Sequence, residues 1–69
     1  MMIIKLKEDY IKLGQALKAA NLVSSGAEAK FIISDGLVKV NGEVELRRGR
    51  KLYDDYVISY NGNDVRIKK

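Results

Sequence analysis

At Asp35-Gly36 the hydrophobic period of the chain changes from helical to two, and the change limits the folds it can adopt. Before that point apolar residues recur at helical spacing, first as Leu13, Ala16, Leu17 and Ala20 and then as Ala29, Ile32 and Ile33. Beyond it Val38 and Val40 alternate with Leu37 and Lys39, and Asn41-Gly42 supplies the residues of a two-residue hairpin turn. Helices followed by strands, rather than alternating with them, predict an α+β fold. Two adjacent helices should pack on one side of a small, mainly antiparallel sheet of about five short strands.

Local signals place the elements. Helix 1 is predicted at 13–21. In "SSGAEAKFIISDG", Ser25 and Glu28 have the spacing of a capping box, in which the Ser hydroxyl accepts from the Glu28 N–H and the Glu carboxylate returns to the N–H of Ser25. Helix 2 therefore starts there, runs for about ten residues and closes at Asp35-Gly36. Strands are predicted at Met2 to Leu6, Val38 to Val40, Glu43 to Leu46, around Leu52 and at Val57 to Tyr60. Asn61-Gly62 then turns into a strand carrying Val65 and Ile67. "EDYIKL" fits either a short strand or an early helical turn. The Asn41-Gly42 turn is expected to be central and Asn61-Gly62 peripheral, so that Gly42→Val should destabilise more than Gly62→Val.

At 69 residues, with no repeats, linkers or Pro, the chain is expected to form one domain, 1–69. It has no Cys and no His, which excludes a disulfide scaffold, thiolate metal sites and the commonest general base. No cofactor or metal is expected. Asp54 and Asp55 are adjacent, without a nucleophile or base beside them, and are read as turn residues that shield the rest of the chain from nearby cations. The opening apolar run of four residues is too short for a signal-peptide core or a membrane span, so a cytoplasmic location is expected.

Charge is the feature that points to a partner. Thirteen Lys and Arg face nine Asp and Glu, and the net +4 equals the four cations of "RRGRK", Arg47, Arg48, Arg50 and Lys51. Three of the four are Arg, whose planar fork grips phosphate and stacks on bases, and Gly49 allows close backbone approach. Nucleic-acid binding is the expected role. Neutralising this exposed loop is expected to leave stability unchanged. Lys18 and Lys30, off the apolar helix faces, extend the footprint, as do the backbone donors around Ser25, Gly26 and Ala27. Tyr53 and Tyr56 suit either base stacking or a core edge. With few exposed aromatics, recognition by shape and phosphate is expected rather than by a linear sequence. A membrane anchor lacks its insertion face.

The segments "LGQALKAANLVSSGAEAKFIISDGLVKVNG" and "RRGRKLYDDYV" resemble the S-four-type RNA-binding domain, or alpha-L motif, over about 11–58. "NGEVELRRGRKLY" is similar to its small stand-alone bacterial branch, often called YaaA-like or YbcJ-like. The resemblance implies a helix pair on a small sheet that presents a basic surface to structured RNA of ribosomal or transfer RNA type, without catalysis. A monomer is expected, with the ribosome or its precursor among the candidate partners. Ser25, Lys30, Lys39 and Asn41 match motif positions, and Arg47, Arg48, Arg50 and Lys51 match the branch. The chain departs from the family at Gly26, where many members have Arg, and at Asp54-Asp55, where Gly-Asp is common. The competing expectation is an adaptor that binds an acidic protein partner within a ribosome-associated complex. Nuclease-sensitive absorbance at 260 nm on co-purification separates the two.

Overall fold

The computed structural model describes all 69 residues. The elements run β1 (Met2–Lys5), β2 (Ile11–Lys12), α1 (Leu13–Ala19), α2 (Gly26–Ser34), β3 (Val38–Val40), β4 (Glu43–Val44), β5 (Lys51–Leu52), β6 (Val57–Tyr60) and β7 (Asn63–Lys68). Five strands form one sheet in the order β1-β7-β6-β3-β4, in which only β1 and β7 pair in parallel. The α+β architecture is as expected, but there are seven strands, because β2 and β5 make a separate two-stranded antiparallel ladder. That ladder settles "EDYIKL": Ile11 and Lys12 are a strand that runs directly into α1 at Leu13.

The helix faces read from spacing are the faces that are buried. Leu13, Ala16 and Leu17 of α1 and Ala29, Ile32 and Ile33 of α2 join Val38, Val40, Leu52, Ile58, Val65 and Ile67 in one core. No helix is long and apolar enough to cross a membrane.

Both helices end in the same way. The residue after each C-cap, Asn21 (φ 61°) or Gly36 (φ 76°), is left-handed. The N–H groups of Asn21 and Leu22 donate to Lys18 and Leu17, and those of Gly36 and Leu37 to Ile33 and Ile32. These paired bonds satisfy carbonyls that the helix leaves open, and they end α1 two residues before the predicted boundary. At the start of α2, Ser25 Oγ accepts from the Glu28 N–H at 3.1 Å as expected. The return bond differs, since the Glu28 carboxylate takes the N–H (2.6 Å) and hydroxyl (3.3 Å) of Ser24 rather than the N–H of Ser25. Ser25→Ala should cost about 1 kcal/mol in urea unfolding, the usual worth of such a cap. Ser24→Ala should cost less, because its backbone bond to Glu28 survives.

Each Asn-Gly pair forms a two-residue turn with both residues at positive φ: 51° and 86° at Asn41-Gly42, 52° and 79° at Asn61-Gly62. The strand order reverses their expected importance. Gly62 joins the inner strands β6 and β7, whereas Gly42 joins β3 to the edge strand β4. Val at either position is strained by about 1–3 kcal/mol, and Gly62→Val should lower the urea midpoint more than Gly42→Val.

Two further expectations need correcting. β4 stops at Val44 rather than Leu46, where the chain turns on Glu45, whose carboxylate accepts the Arg47 N–H at 3.0 Å. Asp54 and Asp55 do occupy a turn, with Asp55 at φ 71°. They do not shield the basic cluster: Asp55 bonds Lys68 (2.9 Å) and Arg66 (3.4 Å), and Asp54 takes the Lys69 N–H (2.8 Å). Lys68, ahead of Arg66, holds the Asp55 carboxyl below the usual carboxylate range.

Candidate nucleic-acid interface

Residues 45–50 connect β4 to β5, and this basic loop is fixed from two sides. One anchor is Glu45, the buried charged residue of the fold at 7% exposure. Its carboxylate accepts from Nε and Nη2 of Arg47, both at 3.0 Å, and from Nη1 of Arg50 at 2.6 Å. The Arg47 hydrogen bonds, aided by Arg50, outweigh the cost of burial and hold the carboxyl at about 2. A carboxyl depressed in the folded state contributes stability above its unfolded pKa, and this is lost as pH falls through about 2. Arg47 and Arg50 are therefore structural as well as cationic, and the expectation that the cluster can be neutralised without cost does not survive.

The second anchor is the start of α1, where Leu13 and Gly14 N–H groups donate to the carbonyls of Arg50 (2.9 Å) and Arg48 (3.1 Å). The loop thus caps donors that a helix leaves unpaired in its first turn. Gly14 permits this approach, since a Cβ there would stand 3.0 Å from Arg48 Cγ.

The fixed loop divides its cations between two clefts that meet at Gly49. One, of about 350 Å³, is lined by Lys12, Gly14, Gln15, Lys18, Gly26, Arg48 and Gly49, with no carboxylate or apolar side chain. The other, of about 490 Å³, is lined by Arg47, Gly49, Arg50, Lys51, Tyr53 and Tyr56. Beside the second, Lys51 Nζ lies 4.8 Å from the centre of the Tyr10 ring and Arg50 Cζ lies 5.8 Å from that of Tyr56.

Of the residues expected from sequence, Lys18, Gly26 and Arg48 share the first cleft and Arg47, Arg50 and Lys51 the second. Ser25 adjoins Gly26 but has its hydroxyl engaged as the cap. Lys30 is exposed on α2 and lines neither cleft. Lys39 pairs in register with Val44 and Ser59, between the buried Val38 and Val40, and so points to the opposite face of the sheet. Asn41 Oδ1 accepts the Val57 N–H at 2.9 Å, which ties the hairpin to β6.

Sequence reading missed Lys12, Gly14, Gln15, Tyr10 and Glu45. Gly14 carried a signal, because Gly is disfavoured inside a helix unless something must come close. Glu45 carried the opposite one: alternation along "EVEL" suggests apolar residues inward, yet Val44 and Leu46 are 53% and 61% exposed and Glu45 is buried.

Comparison with known proteins agrees with this architecture. The S4 domain family matches residues 4–68. A Bacillus subtilis protein named as a probable ribosome maturation protein, RlbA, is 44% identical over 59 residues, covering 86% of this chain and 83% of that protein. The Escherichia coli protein YbcJ, whose name assigns it RNA binding, is 36% identical over 61 residues, covering 88% and 87%. Its solution structure, described as having an alpha-L motif involved in RNA binding, superposes with a TM-score of 0.77 at 34% identity, covering all of this chain and 89% of that one. With nearly its whole length matched and this helix pair on a mixed sheet, the chain belongs to the S4 domain family.

Proposed function

We propose that the chain is a non-catalytic RNA-binding domain that grips structured RNA of ribosomal or transfer RNA type, acting as a single-domain monomer in the cytoplasm on a ribosome or its precursor. The observation that carries this reading is the first cleft. Three cations from separate segments, Lys12, Lys18 and Arg48, converge there with no counter-charge among the lining residues. Like charges gathered around a polar cleft need an anion, and a backbone carrying several phosphates supplies one at each position. The N–H groups of Gly26 and Ala27 open α2 and have no acceptor within the helix, which adds neutral donors to the same edge. Gly26, in place of a side chain, brings that backbone within reach of phosphate. The names of RlbA and YbcJ support the RNA and ribosome context.

Crosslinking in cells followed by sequencing of the attached RNA tests the reading. One dominant base-paired segment is expected, lost when Lys12, Lys18 and Arg48 become Gln. An acidic protein that stays bound after nuclease treatment, with no enriched RNA, would establish the adaptor instead.

A further inference from the structure

Three tyrosines, Tyr53 and Tyr56 from one turn and Tyr10 from far upstream, meet beside the second cleft. The Tyr10 and Tyr53 ring centres are 6.0 Å apart at 54°, and those of Tyr53 and Tyr56 are 5.8 Å apart at 71°. Their environments differ. Tyr56 packs against the core and lies beneath Arg50, and Tyr10 is covered by Lys51. Tyr53 does neither: it is 43% exposed, lies outside the core cluster and lines the cleft with Arg47, Arg50 and Lys51. A tyrosine that only sealed a core edge would lie against that core. Tyr53 instead meets both neighbouring rings at an angle rather than face to face and stays open to solvent.

We infer that this cleft is a subsite for one unpaired RNA nucleotide, with its base stacked on Tyr53 and its phosphates against Lys51 and Arg47. The inference rests on the RNA-binding reading and extends it. A paired base has both faces stacked within its helix and offers none to an exposed ring, whereas a bulged or overhanging base offers one. The cations around Tyr53 suit the phosphates that such a nucleotide brings with it. Because the clefts meet at Gly49, a helix held by Lys12, Lys18 and Arg48 would deliver a neighbouring unpaired residue to Tyr53. Stacking is sequence-tolerant, so the subsite reads the presence of an unpaired base rather than its identity.

The test uses hairpin RNAs with one stem: fully paired, with a single-nucleotide bulge, with a one-nucleotide 3′ overhang, and with an abasic residue at each unpaired position. Fluorescence anisotropy at fixed salt should show the intact protein binding the bulged or the overhanging RNA roughly 5- to 150-fold more tightly than the paired one, the range for one base on an aromatic ring. The abasic versions should lose that preference. Tyr53→Leu should remove it, and Tyr53→Phe should keep it. Equal binding of all the RNAs by the intact protein, or a preference that survives the abasic residue or Tyr53→Leu, overturns the subsite and leaves the RNA-binding reading standing. Failure to bind any of them overturns both. Should Tyr53→Leu misfold, the abasic comparison decides alone, since it alters only the RNA.

Discussion

Replacing Arg47 and Arg50 together by Gln is expected to lower the unfolding free energy by about 3 kcal/mol, near the lower end for breaking a buried ion pair from one side. The lower end applies because the pair is unevenly buried: the Glu45 side chain is 9% exposed, whereas those of Arg47 and Arg50 are 71% and 31% exposed. The arginines lose little by returning to water, but the carboxylate stays inside without either guanidinium. Its acidity then reverses. In the intact protein the carboxyl sits at about 2, so its contribution is present at neutral pH and fades on acidification. In the double variant an unpaired buried carboxylate has a folded pKa raised above the unfolded value. Folding then takes up a proton, so the penalty shrinks as pH falls through that raised folded pKa and is gone below the ordinary carboxylate range. Urea unfolding at pH 7 and pH 4 should show the gap between the two proteins narrowing as pH falls. Adding Glu45→Gln to the double variant should recover part of the loss at pH 7. A double variant within 0.5 kcal/mol of the intact protein at pH 7, or a gap that widens on acidification, would show that Glu45 does not organise the loop.

That outcome could not be read from "RRGRK", and the reason is physical. Features decided within a few residues were legible: the apolar faces of α1 and α2, the Ser25 cap, and the two Asn-Gly turns. Each depends on spacing or on one residue's backbone preference. The strand order depends on pairings between distant segments, and β1 finding β7 is not encoded near either, so the relative weight of Gly42 and Gly62 was reversed. The same holds for the site. Its cations were visible as a charge excess, but their division into two clefts follows from Glu45 turning inward just past the end of β4 and from Gly14 admitting the loop. Lys12 joins Arg48 only because β2 pairs with β5, and Tyr10 meets Tyr53 through the same ladder. Lys39 lines neither cleft, because strand alternation, once the register is known, turns it away from the core face shared by Val38 and Val40.

The division also changes which substitutions isolate RNA affinity from stability. Lys12, Lys18 and Arg48 make no ion pair with a carboxylate, and changing all three to Gln leaves the Glu45 anchor whole. If the intact protein engages roughly four to five phosphates, log K should fall against log salt with a slope of about −3 to −4. Removing three contacts should flatten that slope by about two to three units and weaken binding roughly 100-fold at 0.1 M salt. Phosphate contacts carry no base information, so paired RNAs of different sequence should be affected alike. Urea unfolding of this variant should match that of the intact protein, which separates it from the Arg47 and Arg50 variant, where weakened binding and lost stability arrive together. The matched control is Lys5, Lys7 and Lys39 to Gln, which removes the same charge from exposed positions outside both clefts. It should change the slope by less than one unit. If it flattens the slope as far as the cleft variant does, the chain attracts RNA as a diffuse polycation, and the convergence of Lys12, Lys18 and Arg48 has no role in holding it.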